Sequence, residues 1–410
     1  MRVAVFCAYV DEASRKALVM TGTDKRIFAT LFFSIFSAIT GVGIVVPLIP
    51  IYAESLGASG LYIGLVFASF SLSRAFLLPL FGRLSDKTGR KPYIFTGLFG
   101  YTLVSVAFVC SDTISGLIGI RFFQGIASAM IIPVAHAYIG DITPVKREGL
   151  TMGLFNMSMF ISLSIGPLAG GMINDALGMD AAFLCMGGLS FIGFLMSLWY
   201  LPPIREESHI GEKNRGPLAM AAILRDRGLY GLFCLRMAYV FCIGVIWCFL
   251  PVMSKKYGLS TTAIGFLIML GVFVSGGLQI PMGMVADRVD KRKMATLGGV
   301  LVAADILCYQ WAGGFWSLFA ASLVFGLGGG ITMPPLMAMA VIKGGESRAM
   351  GSVMSLLTVA HSLGMLLGAL SAGLVMDFFT VQQTFPVASV FMVAGTLFFV
   401  FFTAAPKNPA

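Results

Sequence analysis

The chain alternates long apolar runs with short polar segments over most of its length. Each run has roughly 20 residues or more, the length that an α-helix needs to cross a hydrocarbon layer of about 30 Å. Cutting the runs at polar or turn-rich joints predicts twelve membrane-spanning helices, called spans 1 to 12. The predicted bounds are 27–53, 61–81, 93–111, 115–139, 150–173, 181–201, 229–252, 262–282, 294–312, 315–341, 350–375 and 384–404.

The second six spans repeat the first six. An offset of 201 or 202 residues brings identical glycines, prolines, aspartates and a phenylalanine into register. The pairs are Pro50–Pro251, Gly57–Gly258, Gly64–Gly265, Gly82–Gly283, Asp86–Asp287, Gly166–Gly368, Gly171–Gly373, Asp175–Asp377 and Phe183–Phe385. Repeats in the same orientation are related by an axis along the membrane normal. We therefore predict an all-α integral membrane protein with twelve transmembrane helices in two parallel six-helix repeats.

This repeat divides the chain into five segments. We expect a cytoplasmic N-terminal segment 1–26, a six-helix bundle 27–201, a cytoplasmic linker 202–228, a second six-helix bundle 229–404 and a cytoplasmic tail 405–410.

Composition and charge support a membrane location. Hydrophobic residues make up 58% of the chain and charged residues 11%, and the mean hydropathy is +0.90. Lys and Arg outnumber Asp and Glu by 28 to 19, and 23 of those 28 lie in the segments on one side of the predicted spans. The positive-inside rule makes that side cytoplasmic. We predict a multi-pass protein of the cell (inner) membrane with both termini cytoplasmic.

The same features exclude other classes of partner. No soluble basic domain is present that would bind nucleic acid. The seven cysteines show no CxxC spacing, so we interpret them as packing residues and predict no metal and no cofactor. The expected partners are a small-molecule substrate, protons as coupling ion and the lipid bilayer, and we expect a monomer.

A run of charge and glycine, G-R-L-S-D-K-T-G-R-K, joins spans 2 and 3. Gly82 and Gly89 allow a tight reversal and close helix approach, while Asp86 can accept hydrogen bonds from free N–H groups at a helix N-terminus. The run recurs in weaker form from Gly283 to Lys293. It resembles the loop signature of the major facilitator superfamily, G-x-L-x-D-x-x-G-R-K.

The resemblance implies a conformational latch at this loop. Asp86 would reach the start of span 11 near Gly351, and Arg90 would pair with Asp141 at the end of span 4. These contacts would form when the cytoplasmic side is closed and would favour the outward-facing state. The alternative is a solvated basic loop that only fixes topology. The candidate latch residues are Gly82, Asp86, Gly89, Arg90, Lys91 and Asp141.

Span 4 carries a polar stripe. Arg121, Gln124, Ser128 and His136 fall within about 120° of one another on the helix, and such a stripe should face protein or water. The sequence R-F-F-Q-G-I-A-S-A resembles a second signature, common in the drug:proton antiporter branch of the family. The resemblance implies that span 4 lines the central cavity and that Arg121 takes part in proton transfer or lowers the pKa of a nearby acid. Alternatively, Arg121 is satisfied by carbonyls near the outer end, about 9 Å away.

Span 5 ends in S-x-x-x-G-P-x-x-G-G, close to a signature associated with antiporters of this superfamily. The proline bends the helix and the glycines admit a close neighbour. The resemblance implies that this neighbour is span 8, across the interface, and that the contact closes the outer half. An ordinary kinked packing helix is the alternative, and Ser162 stands where the family usually has glycine. The motif residues are Gly166, Pro167, Gly170 and Gly171.

Other polar residues inside the spans are candidate substrate contacts. Arg236, Tyr239 and Trp247 share one face of span 7, which is either an aromatic wall or a packing face. Arg74 lies about 12 Å inside the membrane and needs a partner or an aqueous cavity. Asp305 on span 9 and His361 on span 11 are weaker candidates.

These features favour a secondary active transporter. The leading prediction is proton-coupled export of small amphiphilic or drug-like compounds by alternating access. The alternative is proton-coupled or facilitated transport of an organic anion or other small metabolite. Span 1 contains no acid, although many multidrug members of the family have one there, so we expect a neutral, lipophilic or anionic substrate. A membrane enzyme or receptor is a remote alternative, since no HExxH, GxSxG or phosphate loop and no large soluble domain is present.

Overall fold

The computed structural model describes residues 22–143, 148–202, 226–346 and 350–404, and within these ranges all regular secondary structure is helical. Twelve helical stretches there are long and apolar enough to cross a membrane, which confirms the predicted fold class. Of the predicted segments, the tail 405–410 and most of 1–26 and 202–228 lie outside the described residues.

Ten of the twelve spans contain one α-helix each, and spans 1 and 8 are built from two pieces. In chain order the helices are Gly22–Val45 with Leu48–Ser55 (span 1), Gly60–Thr88 (2), Lys91–Val109 (3), Ile114–Ile142 (4), Glu148–Leu177 (5), Met179–Tyr200 (6), Arg227–Lys256 (7), Thr261–Gly277 with Gln279–Arg288 (8), Lys291–Cys308 (9), Phe315–Glu346 (10), Met350–Phe378 (11) and Thr384–Phe402 (12).

Local sequence sets the helix ends. Asp226 directly precedes the helix of span 7 and Asp290 that of span 9, and each of these carboxylates accepts hydrogen bonds from two backbone N–H groups of the first turn. Gly57 and Gly258, which the repeat pairs, have φ of +81° and +72° and follow spans 1 and 7. Side chains other than glycine rarely adopt this conformation, so both halves end their first span in the same way.

The turn between spans 2 and 3 is shorter than predicted. The helix of span 2 continues through Thr88, and the chain reverses at Gly89, which has φ of +93°. The expectation of a loop from Gly82 onwards is therefore wrong. Nothing lies within 4 Å of the position that a Cβ on Gly82 would take. The predicted close approach of another helix to this glycine is therefore not seen in this structure. Charged residues do not stop a helix that has already left the apolar layer.

The two six-helix halves pack in the same way. In the first half span 1 lies against spans 5 and 6, and in the second half span 7 lies against spans 11 and 12. Between the halves, span 2 packs on span 11 and span 5 packs on span 8. Because spans 8 and 11 are the repeat mates of spans 2 and 5, the two interfaces are equivalent under the internal symmetry.

Candidate functional site

The interface between the halves is closest at one end of the helices. We call the end with Lys87, Arg90 and Arg292 the basic end, and the end where spans 2 and 8 begin the opposite end. A Cβ placed on Gly64 would lie 2.4 Å from the carbonyl oxygen of Ala369, and one on Gly265 would lie 2.1 Å from that of Pro167. Side chains cannot occupy such space without movement of the backbone. Glycine thus allows the backbones of the two halves to touch at the opposite end.

Two aspartates reinforce this closure. Asp175, at the end of span 5, accepts hydrogen bonds from the backbone N–H groups of Thr261 (3.1 Å) and Thr262 (2.8 Å) and from both threonine hydroxyls (2.7 and 2.6 Å). These groups form the N-terminus of span 8, in the other half. A carboxylate is favourable there because it meets unpaired N–H groups and the positive end of the helix dipole.

The second aspartate makes the same contact with the halves exchanged. Asp377, at the end of span 11, accepts from the backbone N–H groups of Gly60 (2.6 Å) and Leu61 (2.9 Å) and from the Ser59 hydroxyl (3.0 Å). We call these two sets of contacts the interhalf caps. The sequence repeat pairs Asp175 with Asp377 but indicates no role for either. Their position next to the helix starts at Thr261 and Gly60 becomes visible only in the fold.

The residues of the predicted latch contact one another within the first half. Arg90 Nε donates to Asp141 Oδ2 at 3.0 Å, and Arg90 Nη1 donates to Ser85 Oγ at 3.1 Å and to Asp86. Partial burial disfavours the charge on Arg90, but hydrogen bonds and attraction from Asp141 and Asp86 outweigh it and raise the pKa of the guanidinium. Lys91 is the first helical residue of span 3. This cluster ties the end of span 4 to the turn between spans 2 and 3.

At the basic end, the described residues form no equivalent of the interhalf caps. Among the described residues, the hydrogen bonds that join the two halves all lie at the opposite end. The Asp86 side chain is half exposed and bonded to Arg90, and no described residue of span 11 hydrogen-bonds to it. The structure is therefore closed at the opposite end.

Three members of the polar stripe on span 4 are buried in the first half. Arg121 is 3% exposed, and its Nη1 donates to Gln124 Oε1 at 2.7 Å. Its guanidinium carbon lies 4.9 and 4.6 Å from the ring centroids of Phe67 and Phe70. Ser128 is 1% exposed. Arg121 is thus held by neutral groups inside the protein and does not extend to the surface.

The fourth member of the stripe lies apart from the others. His136 is about 12 Å along the helix axis from Ser128, at the geometry of an α-helix. Its Nε2 lies 2.9 Å from Asn156 Oδ1 on span 5, and its ring meets that of Phe155 edge on. The structure brings Arg121, Gln124 and Ser128 together and places His136 at the junction of spans 4 and 5.

The glycines of the span 5 motif have two different neighbours. A Cβ on Gly166 would lie 2.7 Å from Gly43 Cα, and one on Gly170 would lie 2.1 Å from the carbonyl oxygen of Ile44, both on span 1 of the same half. A Cβ on Gly171 would lie 2.2 Å from the carbonyl oxygen of Thr261 on span 8. The Pro167 carbonyl also faces span 8. The expectation that the whole motif packs on span 8 therefore needs correction, because Gly166 and Gly170 pack within the first half.

The polar residues predicted on span 7 contact spans 10 and 11 of the same half. Arg236 Nη1 donates to Met333 Sδ at 2.7 Å, and Nη2 lies 3.3 Å from His361 Nδ1. Arginine has only donors, so Nδ1 of this histidine accepts and its ring proton is on Nε2. Tyr239 is buried and stacks on Phe325 with 5.8 Å between ring centroids. Trp247 packs against the hydrophobic core. Tyr239 is therefore a packing residue in this structure, whereas Trp247 is only partly buried, and a role for it in an aromatic wall stays a prediction.

The arginines inside the spans have no acidic partner in the described part of the chain. Arg74, Arg121 and Arg236 form no ion pair there, and Arg74 Nε is buried without a hydrogen-bond partner. Asp305 is 5% exposed and lies on span 9, with Oδ2 also unpartnered. No group of three His, Cys, Asp or Glu residues suited to a metal ion occurs among the residues described.

Comparison with known proteins agrees with this architecture. The family model described as Major Facilitator Superfamily matches residues 31–245 and 232–410. An uncharacterised MFS-type transporter of Methanocaldococcus jannaschii is 28% identical over 90% of this chain and 96% of its own length. Multidrug resistance protein 2 of Bacillus subtilis is 25% identical over 91% and 94% of the two chains. The inward-facing structure of a bacterial homologue of the human lysosomal transporter Spinster superposes with a TM-score of 0.82 at 13% identity, covering 94% of this chain and 98% of that one.

Proposed function

The chain belongs to the major facilitator superfamily and is a membrane transporter rather than an enzyme, and on this premise we propose that it exports small amphiphilic or drug-like compounds in exchange for protons by alternating access. The basic end is cytoplasmic in this proposal, by the positive-inside rule. The structure then corresponds to an inward-facing state, closed toward the outside.

The observation that carries the proposal is the symmetry of the closed end. The contact of span 2 with span 11 and that of span 5 with span 8 are related by the internal repeat, and each has one interhalf cap. Both caps join groups from different halves, so both must break when the halves rotate apart at this end. Rigid halves that rock about a site between them are the usual mechanism of transporters built from repeats.

The basic end supplies a contact suited to the other state. Asp86 is half exposed and is bonded only to its own half among the described residues. When the basic end closes, Asp86 would approach the first turn of span 11 and meet free N–H groups there, as Asp175 meets those of span 8. The protein would thus use one type of interaction, a carboxylate at a helix N-terminus, to hold each closed end.

The proposed class of substrate follows from the site and from the relatives. The polar side chains between the spans are few, and they are separated by aromatic and methionine side chains such as Phe70 and Met333, which suit an amphiphilic molecule. Multidrug resistance protein 2 is named for drug resistance. So is a partial match, the quinolone resistance protein NorA of Staphylococcus aureus, which is 28% identical over 49% of this chain. Export of drug-like compounds is consistent with these names.

Proton coupling requires a group inside the spans that gains and loses a proton. His361 on span 11 and Asp305 on span 9 are the titratable candidates inside the second half. His361 accepts from Arg236 through Nδ1, so a proton added at Nδ1 would break this hydrogen bond. Such a change would alter the contact between spans 7 and 11, and through span 11 the contact with the first half.

The experiment is a flux measurement on purified protein in liposomes that enclose a pH-sensitive dye. Amphiphilic anions, cations and neutral compounds are added separately, with and without a pH gradient. We expect proton movement on addition of a substrate and none with empty liposomes or with Arg121→Ala. Substrate movement that is independent of the gradient would contradict proton coupling, and movement only down the substrate gradient would contradict active export.

A further inference from the structure

Two arginines and a histidine on three different spans, Arg74, Arg236 and His361, come to one depth when the register of the helices is followed. Spans 2 and 11 run antiparallel, and the contacts of Gly60 with Gly373 and of Gly64 with Ala369 fix their register. Continuing this register along span 2 places Arg74 level with Val359, about 3 Å along the axis from His361. Arg236 contacts His361 directly.

This cluster has positive charge and no described counter-charge. Neither Arg74 nor Arg236 forms an ion pair within the described ranges, and Arg74 Nε is buried without any acceptor. Arg236 donates to a thioether and an imidazole nitrogen, which are neutral. Holding a cation inside a membrane protein without an anion is costly, so a ligand that supplies the anion would bind with a large gain.

Arg121 differs from these two arginines. It has no ion pair either, but its guanidinium lies against the rings of Phe67 and Phe70 and donates to Gln124, all in the first half, and it is 3% exposed. Arg74 belongs to the first half, whereas Arg236 and His361 belong to the second. An anion held between Arg74 and Arg236 would therefore touch both halves, which is the position that a transported substrate needs.

We propose that Arg74, Arg236 and His361 form an anion subsite that binds the carboxylate of an amphiphilic substrate, with the apolar part of the substrate against neighbouring side chains such as Met333. The inference rests on the proposed function, because it places the substrate between the halves, and it narrows the substrate class to monoanionic amphiphiles. The guanidinium groups donate to the carboxylate oxygens, and the Nε2–H of His361 supplies a further donor.

The test measures binding to the purified full-length protein in nanodiscs of phosphatidylcholine, by calorimetry at pH 7.5, with empty nanodiscs subtracted. The probes are octanoate, octanamide and octylamine, which share their alkyl tail and differ in head-group charge. We expect octanoate to bind at least about tenfold more tightly than either of the others, as is typical for a charge-assisted pair. Equal binding of the three probes, tighter binding of octylamine or no binding of octanoate would overturn the proposal.

Variants assign the preference to the cluster. Arg74→Gln and Arg236→Gln should each weaken octanoate binding about tenfold and leave octanamide unchanged, whereas Arg236→Lys should retain the preference for the anion. Arg288→Gln, at an exposed arginine of the basic end, is the matched control and should bind as the wild type does. Unchanged octanoate binding in both glutamine variants would overturn the proposal.

Two further measurements distinguish this subsite from a general loss of stability in the variants and from a site for inorganic anions. The glutamine variants remove an uncompensated charge, so without ligand the melting temperatures of Arg74→Gln and Arg236→Gln should equal or exceed that of the wild type. Octanoate should raise the melting temperature of the wild type and of Arg288→Gln more than that of either of these two variants. Chloride at physiological concentration should not displace octanoate, since displacement would identify an inorganic anion as the occupant and overturn the assignment. Binding needs no gradient, so a failure of proton exchange would contradict the proposed function and leave this result standing.

Discussion

Removing the charge of both interhalf caps should shift the protein toward the state that is open at the opposite end. The perturbation is Asp175→Asn together with Asp377→Asn. Asparagine keeps the size of the side chain and one acceptor oxygen but loses the negative charge that faces the N-terminus of span 8 or span 2. The caps form only when the opposite end is closed, so the substitution weakens that state and leaves the open one unchanged.

The magnitude follows from the geometry of each cap. Each carboxylate accepts from two backbone N–H groups and at least one hydroxyl. Loss of a helix cap costs about 0.5–2 kcal/mol and the charge–dipole term about 0.3–1 kcal/mol. Both aspartates are exposed, so solvent screens the charge and about 1 kcal/mol for each is appropriate. The caps share no residue, so their effects should add to about 2 kcal/mol, which changes the equilibrium about 30-fold.

Pulsed electron paramagnetic resonance on spin-labelled protein measures this equilibrium. A label pair at Asp112→Cys and Gly313→Cys reports on the opposite end, and a pair at Lys87→Cys and Arg288→Cys reports on the basic end. The native cysteines are replaced first, since Cys110 and Cys308 are exposed. In the double variant the first distance should lengthen and the second should shorten in a larger fraction of molecules, and each single variant should shift the equilibrium about fivefold.

Asp180→Asn is the matched control. Asp180 is an exposed acid at the same end of the molecule, in the first turn of span 6, and it makes no described contact with the other half. The control should leave both distances unchanged. An unchanged distribution in the double variant, or an equal shift with Asp180→Asn, would refute the reasoning, because the effect would then not depend on the caps.

Three further predictions concern the interface and the buried arginine. Gly265→Ala should lower transport and favour the state open at the opposite end, because the new Cβ would lie 2.1 Å from the carbonyl oxygen of Pro167. Its control is Gly277→Ala, which should transport normally in the same flux assay because nothing lies within 4 Å of its Cβ position. Asp86→Asn should shift the label distances in the direction opposite to the cap variants, and no shift would leave the loop a topology signal only. Arg121→Ala should abolish transport without preventing expression. Arg121→Lys should also be inactive, because lysine lacks the planar group that contacts Phe67 and Gln124. Wild-type flux in Arg121→Ala would refute this role.

The architecture could be predicted from the sequence because it depends on a strong local signal. Apolar runs of sufficient length must form helices in lipid, and repeated glycines and aspartates reveal the two halves. The exact end of span 2 could not be predicted in the same way. Beyond the hydrocarbon layer, Arg83 and Lys87 are as compatible with a helix as with a loop, and the structure ends the helix only at Gly89, where the backbone requires a positive φ.

The site was less predictable because its contacts join distant parts of the chain. The identity of Asp175 and Asp377 at one offset showed that they were equivalent, but not that each lies beside the first turn of a helix in the other half. The span 5 glycines also met the general expectation of close packing. Some of these glycines pack on span 1 and one packs on span 8. Which neighbour each glycine meets depends on its direction around the helix axis and on where the two neighbouring helices lie, and the spacing of the motif does not give those positions.

The proposed alternating access requires caps of modest strength. A substrate can shift an equilibrium only by the difference between its affinities for the two states. Two caps of about 1 kcal/mol each are comparable to the roughly 1.5–3 kcal/mol that a hydrogen bond to a charged group contributes. An anion that bridges Arg74 and Arg236 could therefore offset the caps by drawing the halves together at the depth of the arginines and closing the basic end. A closure held by many buried ion pairs would be too stable for one small molecule to reverse.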